Sequence, residues 1–159
     1  MRPHLFFWCP SQVYSIPPFF KSTIVLNMSV TQLIEKHFQT LRADPQAWRA
    51  LWAPDAVLEM PYAAPPHPTR MEGIDAVAAT ASFFANSMGD DFNVQIKKVY
   101  PVEGDDAAFV EYVMAGTVTT TGKLYKQDYI SYVRAENGKF VLFREYFDTA
   151  RVAAAFTPS

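Results

Sequence analysis

The sequence has few of the features that mark a disulfide-bonded, metal-binding or nucleic-acid-binding protein. One cysteine, Cys9, among 159 residues cannot form an intramolecular disulfide, and no Cys/His cluster has the spacing of structural zinc. Fourteen basic residues against sixteen acidic ones give a formal net charge of -2, which leaves no cationic surplus for a phosphate backbone. We therefore expect no metal, no nucleic-acid partner and a reducing, cytoplasmic location.

Long apolar runs and nucleotide-binding motifs are also missing from the sequence. No stretch approaches the roughly 20 apolar residues that span a bilayer. The chain has no glycine-rich phosphate loop, nucleophile elbow, paired-histidine zinc helix or dinucleotide fingerprint. These absences predict a protein that does not enter a membrane and works without a cofactor.

The first 27 residues differ in pattern from the rest of the chain. Pro3, Pro10, Pro17 and Pro18 stand among aromatic residues, with neither helical nor strand periodicity. This segment is interpreted as an irregular arm, and Met28 offers an alternative translation start, so the arm need not belong to the functional unit. The predicted functional domain covers residues 28–159.

From residue 31 onward the pattern predicts helices first and strands later. Apolar residues at spacings of three and four, with Asp44-Pro45 as a stop, predict helices, and Thr31 is the expected cap of the first one. Period-two alternation between glycine-containing turns predicts the strands. The predicted helices cover 31–44, 45–53, 73–87 and a last turn at 150–156; the predicted strands cover 56–62, 92–99, 107–120, 123–134 and 139–148. This order indicates an α+β fold, with the N-terminal helices packed on a curved antiparallel sheet.

The last predicted strand carries a carboxylate among apolar residues. Alternation along residues 139–148 places Glu145 on the same face as Val141, Phe143 and Phe147, with Phe140 on the opposite face. Loss of hydration raises the pKa of a carboxyl towards neutrality unless a cation or several donors compensate. Such a group can serve as a general acid or base. The plainer alternative is a glutamate that is ion-paired or turned to water at a strand end.

The neighbours of Glu145 depend on the turn at residues 137–138. A strict two-residue turn puts Glu145 opposite Ile130 and on the face of Asp128, where like-charge repulsion would raise one carboxyl pKa further. A bulge shifts the parity by one residue and puts Glu145 among hydrogen-bond donors, namely Tyr125, Gln127 and Tyr129. The second arrangement suits proton transfer beside a carbonyl, because phenol groups can hold the carbonyl oxygen. The residues alone leave both arrangements open.

Aromatic side chains are numerous enough to line a ligand cavity as well as a core. The candidates, for which a place in the core is the simplest interpretation, are Trp48, Trp52, Tyr62, Phe83, Phe84 and Tyr112. Two histidines are weaker candidates. His37 is interpreted as a boundary residue of the first helix, and His67 lies either at a pocket mouth or in solvent.

The order and spacing of several short segments resemble the SnoaL-like group of the nuclear transport factor 2-like superfamily. These segments are WAPDAVLEMPY at 52–62, RMEGIDAV at 70–77, YKQDY at 125–129, NGK at 137–139 and REYFD at 144–148. The resemblance implies a cone-shaped α+β barrel with helices over a deep pocket. It also implies a homodimer through the outer face of the sheet, where Arg144 and Tyr146 would make contact.

Within that superfamily the last two strands are similar to those of phenazine biosynthesis A/B proteins. The resemblance implies that Glu145 is the acid/base residue and that Tyr125 lines the pocket beside it, which favours the bulged arrangement. This chain departs from that group on its helices: Thr80 stands where a pocket histidine is expected, Phe84 where a serine is expected, and Trp48 near an expected arginine. These departures favour a more apolar ligand than a carboxylate-bearing phenazine precursor.

Three functional hypotheses follow. The first is a cofactor-independent isomerase, cyclase or hydrolase acting on a hydrophobic small molecule, with Glu145 and Tyr125 as catalytic residues. Its ligand-binding residues would be Tyr129, Gln127, Tyr112, Trp48, Trp52, Tyr62, Thr80 and Phe84. The second is a non-catalytic protein that binds such a molecule in the same pocket. The third is a dimerisation domain, which predicts no continuous pocket.

Overall fold

The computed structural model describes residues 27–65 and 67–158 of the chain. Its helices are α1 (Val30–Thr40), α2 (Pro45–Ala50), α3 (Ile74–Asn86) and α4 (Thr149–Phe156). Its strands are β1 (Trp52–Glu59), β2 (Arg70–Glu72), β3 (Asn93–Pro101), β4 (Ala107–Thr117), β5 (Leu124–Glu136) and β6 (Lys139–Phe147). Except for Asn27, the predicted arm lies outside the described residues, so the arm and the domain boundary at residue 28 stay predictions.

The cap of the first helix is Ser29, two residues before the predicted cap Thr31. The Ser29 side chain accepts from the backbone N–H of Gln32, and the Gln32 side chain accepts from the backbone N–H of Ser29, which completes a capping box. The apolar stripe of α1 is buried, and His37 is buried with it. None of the helices that the structure describes is long and apolar enough to cross a membrane.

The second helix is shorter than the sequence predicts. It starts at Pro45, as expected, with Asp44 as its cap, but it ends at Ala50. Trp52, predicted to lie on this helix, opens β1 instead and pairs with Phe140 of β6. The helical spacing of Trp48 and Trp52 misled the prediction because both side chains are buried, one from a helix and the other from a strand.

The six strands form one mixed sheet in the order β2-β1-β6-β5-β4-β3. The α+β class and the packing of helices on the sheet are confirmed. Three details differ from expectation. The sheet is not wholly antiparallel, because β1 runs parallel to β6, and it is not closed, since β2 and β3 are its edges. The short strand β2 was not predicted.

The hairpin between β5 and β6 combines a tight turn with a bulge. Asn137 and Gly138 have φ values of 52° and 72°, the backbone of a two-residue type I′ turn. The register then shifts by one residue at Val141. As a result Phe140 and Phe143 both point into the core and are almost fully buried. The prediction that Phe140 lies on the outer face was therefore wrong.

Candidate functional site

A cavity of about 480 Å³ lies between the inner face of the sheet and the helices. All four helices contribute side chains to it, together with β1, β4, β5, β6 and the proline-rich segment after β1. This volume is in the range of small-molecule sites. Of the residues that the structure describes, no lysine or arginine lines the cavity, and most lining side chains are apolar or aromatic. A cavity of this kind contradicts the hypothesis of a purely structural domain.

Most of the predicted site residues line this cavity: Glu145, Tyr125, Tyr129, Trp48, Trp52, Thr80 and Phe84. Tyr112 lies behind the wall and contacts Glu145. Gln127 and Tyr62 do not line it. Gln127 is fully buried and donates from Nε2 to the carbonyl oxygen of Asp148 at 2.7 Å, so it ties β5 to the start of α4. Tyr62 is 65% exposed and its ring packs on Tyr146.

The bulge at Val141 determines what surrounds Glu145. Beyond it, Glu145 lies opposite Ser131 and on the same face as the buried Tyr125, Gln127 and Tyr129. Asp128 points to the other face, where its carboxylate pairs with Arg151 at 2.9 Å. The arrangement with paired carboxylates is therefore wrong, and the one with hydrogen-bond donors is present.

The Glu145 carboxyl is held by a short chain of hydroxyl groups. The Tyr112 hydroxyl donates to Oε1 of Glu145 at 2.8 Å and lies 3.0 Å from Oγ of Ser131. Burial raises the pKa of Glu145 to about 7, and the bond from Tyr112, which favours the carboxylate, acts in the opposite direction. The acid is thus present in both protonation states near neutral pH. The sequence analysis missed Ser131, since a serine in an alternating strand gives no signal of its partner.

Two phenol groups stand beside this acid. The hydroxyl oxygens of Tyr125 and Tyr129 are 2.5 Å apart, and the ring of Tyr129 stacks on that of Tyr112 with centroids 4.8 Å apart. Burial raises the pKa of each phenol above its ordinary value, so both stay protonated. One hydroxyl of the pair donates to the other, which leaves one O–H to donate to a bound molecule.

His37 is a cavity residue rather than the boundary residue that was predicted. It is only 5% exposed, and its Nδ1 accepts from the Trp48 Nε1–H at 3.0 Å. Burial lowers its pKa to about 3, so the imidazole is neutral at physiological pH. The sequence feature that could have predicted its burial is its position in the apolar stripe of α1, three residues after Ile34.

Thr80 and Phe84, which stand at the two α3 positions where the resemblance to phenazine proteins implies polar groups, both line the cavity. The hydroxyl of Thr80 donates to the carbonyl oxygen of Ala76 at 3.0 Å and is therefore already used as a donor. Phe84 meets the ring of Tyr125 edge-on, with centroids 5.8 Å apart. His67, by contrast, is exposed and lines the cavity, in accord with a place at its mouth.

A family model for the SnoaL-like domain matches residues 30–143. The chain belongs to this family. An uncharacterized PhzA/B-like protein of Pseudomonas aeruginosa is 34% identical over 109 residues, which cover 68% of this chain and 75% of that protein. Most residues that line the cavity lie inside the matched region, whereas Glu145, Phe147 and the lining residues from 149 onward follow it.

Solved structures agree with this assignment. One is described as a proposed isomerase from Bacillus subtilis, with a TM-score of 0.75, 27% identity, and coverage of 82% of this chain and 94% of that one. Another is a Mycobacterium tuberculosis protein in complex with estradiol-17β-hemisuccinate, with a TM-score of 0.67, 18% identity, and coverage of 78% and 98%. The second shares the fold of this SnoaL-like domain.

Replacing Tyr112 with phenylalanine is expected to raise the pKa of Glu145. The substitution removes the donor that stabilises the carboxylate, and a hydrogen bond to a charged group contributes enough to move the pKa upward by about one. Carboxyl ¹³C NMR over a pH series measures the change. Tyr132→Phe, on the outer face of β5, is the matched control and should leave the Glu145 titration unaltered. An unchanged or lower pKa in Tyr112→Phe would contradict this account.

Proposed function

We propose that this SnoaL-like protein transfers a proton next to a carbonyl group of an uncharged, hydrophobic small molecule, without a cofactor. Glu145 is the acid and base, and the Tyr125–Tyr129 pair holds the carbonyl oxygen. The observation that carries the proposal is a carboxyl whose pKa is about 7, on the wall of a largely apolar cavity and beside paired phenols. A general base is most effective when its pKa lies near the working pH.

The chemistry follows from the placement of these groups. Oε1 of Glu145 accepts a hydrogen bond from Tyr112, so Oε2 takes the proton from the substrate carbon next to the carbonyl. The electron pair of that C–H bond moves into a C=C bond, and the carbonyl oxygen becomes an enolate oxygen. The free O–H of the phenol pair donates to that oxygen as its charge develops. Where the substrate has a C=C bond next to the deprotonated carbon, the enolate is conjugated with it, and return of the proton from Glu145 to the far carbon of that bond completes an isomerisation; in its absence the proton returns to the same carbon, which is exchange.

The composition of the cavity wall favours an uncharged ligand. A carboxylate would enter a space where none of the described lining residues is a lysine or arginine and where His37 is neutral, and a buried charge without a partner is costly. Trp48, Trp52, Tyr129, Thr80 and Phe84 would contact the ligand body. The other three predicted ligand-binding residues do not line the cavity. Tyr112 would hold the Glu145 carboxyl and Gln127 would hold the start of α4, whereas Tyr62 lies on the outer surface.

We also propose a homodimer that acts in the cytoplasm. Ile130 and Phe109 are exposed apolar residues on the outer face of β5 and β4, and Arg144 and Tyr146 share that face on β6. The family resemblance supports this face as the interface, and the single cysteine suits a reducing compartment. Sedimentation of wild type and of Ile130→Glu would test the interface.

The proposed reaction predicts a pH-dependent proton exchange. We expect the protein to exchange the α-hydrogens of 2-tetralone for deuterium in D₂O, with a rate that rises with pH and levels off above about 7 as Glu145 ionises. Proton NMR of the ketone follows the exchange against a protein-free control at each pH. A rate no greater than that of the buffer at every pH would favour the alternative of a non-catalytic binding protein.

A further inference from the structure

His37 offers the cavity a polar group that the proposed proton transfer does not use. Its ring stacks on Phe143 with centroids 4.9 Å apart and an interplanar angle of 23°. Phe143 is two residues before Glu145 on β6 and on the same face of that strand. The imidazole therefore lines the same cavity as the acid, but is held by α1 rather than by the sheet.

The hydrogen-bond partner of His37 determines which nitrogen carries the proton. A neutral imidazole has one N–H donor and one acceptor nitrogen. Nδ1 is the acceptor, because Trp48 can only donate through its indole Nε1–H. The proton is therefore on Nε2. Within residues 27–65 and 67–158, no hydrogen bond from Nε2 to a protein acceptor is formed. Nε2 is not one of the fully buried unpaired atoms of the described residues, so it remains accessible from the cavity that His37 lines.

The surroundings of His37 keep it neutral. The rings packed against it belong to uncharged residues: Phe38, Trp48, Trp52, Phe140 and Phe143. The titratable groups that share the cavity are Glu145, His67 and the phenols of Tyr125 and Tyr129. No described carboxylate forms an ion pair with the imidazole. A donor that carries no charge can bind an uncharged oxygen without the cost of a buried cation.

We infer that His37 is a second ligand anchor, whose Nε2–H binds an uncharged acceptor oxygen of the substrate at a point distinct from the Tyr125–Tyr129 pair. The substrate class is then an apolar molecule with two oxygen functions. One is the carbonyl at the phenols, and the other is an ether, hydroxyl or second carbonyl at His37. The inference rests on the proposed function insofar as both place the ligand in this cavity.

The tautomer of His37 is the first test. Two-bond ¹H–¹⁵N correlation spectra of the full-length protein identify which imidazole nitrogen is protonated. We expect the Nε2–H form throughout pH 5–8, and a shift of the Nε2 signal when a ligand with a second oxygen is added. An Nδ1–H tautomer, or an imidazolium at pH 6, would overturn the inference.

The second test measures affinity for matched probes. The 5-, 6- and 7-methoxy-2-tetralones carry a second oxygen, and the corresponding ethyl-2-tetralones have the same shape without it. We expect wild type to bind at least one methoxy isomer about fivefold more tightly than its ethyl partner, the size of one neutral hydrogen bond. A carboxy-2-tetralone of the same substitution pattern is expected to bind more weakly than either.

Two variants of His37 separate its donor from its structural contact. His37→Phe removes both ring nitrogens and leaves the Trp48 donor unpaired, so its fold is checked by thermal unfolding. His37→Asn keeps an acceptor, Oδ1, near the position of Nδ1 but has no group at the position of Nε2. In both variants the methoxy preference should disappear while affinity for the ethyl compounds stays within about twofold. Persistence of the preference in both variants would overturn the inference.

Glu145→Gln distinguishes the failure of this inference from the failure of the proposed function. If His37 acts as inferred, this variant keeps the methoxy preference although it has lost the proposed base. Failure of every tetralone to bind wild type would count against the proposed function and the anchor together. Tight binding without a methoxy preference would count against the anchor alone.

Discussion

Glu145→Gln is expected to lower the rate of α-proton exchange in 2-tetralone by about 10²- to 10⁴-fold, the usual contribution of a positioned general base. Glutamine has nearly the shape of glutamate, and its Oε1 can still accept from Tyr112. It cannot take a proton at neutral pH. Affinity for the ketone should therefore change by no more than a few-fold. Proton NMR in D₂O gives the exchange rate, and calorimetric titration gives the affinity.

The matched control for this substitution is Glu111→Gln. Glu111 lies on the outer face of β4, where its carboxylate accepts from the Tyr100 hydroxyl, and it does not line the cavity. Its replacement should leave the exchange rate within about twofold. Equal rates in wild type and Glu145→Gln would remove the proposed base, and the protein would then be better described as a binding protein.

The alternation of β6 revealed Glu145, but the neighbours of this residue required the structure. Period-two patterning assigns residues to faces only where the strand is regular. The extra residue at Val141 inverts the parity between Phe140 and Phe143, and a strand with apolar residues on both faces fits either register. The sequence could therefore offer two sets of neighbours for the acid without a physical reason to reject one.

Other parts of the site depend on contacts between distant segments. The parallel pairing of β1 with β6 joins Trp52 to Phe140, and no local pattern predicts such a pairing. His37 is similar: the stripe of α1 indicates that the residue is buried, but its tautomer depends on Trp48 of the next helix. Sequence periodicity supplied the α+β class and the candidate acid, and the family resemblance added the expectation of a pocket. The role of His37 as the second polar group of the cavity could be recognised only from tertiary packing.

Glu145 and His37, the two buried cavity residues with pKa values of about 7 and about 3, are expected to have opposite effects on stability. The pKa of Glu145 rises from 4.5 to about 7 on folding, so the native state binds more protons than the unfolded state between these values. Stability from this group is present below pH 4.5 and is lost as the pH rises to about 7. The pKa of His37 falls from 6.5 to about 3. Here the unfolded state binds more protons, and stability is lost as the pH falls below 6.5.

Between pH 4.5 and 6.5 the contributions of Glu145 and His37 to the pH dependence of the free energy of unfolding nearly cancel in wild type. A variant that removes one of the two groups leaves the contribution of the other. In Glu145→Gln only the His37 contribution remains, so the free energy of unfolding should rise with pH by up to about 1.4 kcal/mol per pH unit relative to wild type. The difference between the two proteins should reach about 3 kcal/mol and stop growing above pH 7. In His37→Asn, the free energy of unfolding should instead fall relative to wild type as the pH rises through the same interval.

Urea unfolding at half-unit steps from pH 4.5 to 8 measures these slopes, with Glu111→Gln as the control that should run parallel to wild type. The slopes of the two variants have opposite signs. A general loss of stability lowers the free energy of unfolding equally at every pH and does not change its slope, so it cannot produce this result. Parallel curves for wild type and Glu145→Gln would mean that the acid titrates alike in the native and unfolded states. The Glu145 carboxyl would then be hydrated, and a carboxyl with an ordinary pKa in water would be too weak a base near neutral pH for the proton transfer proposed.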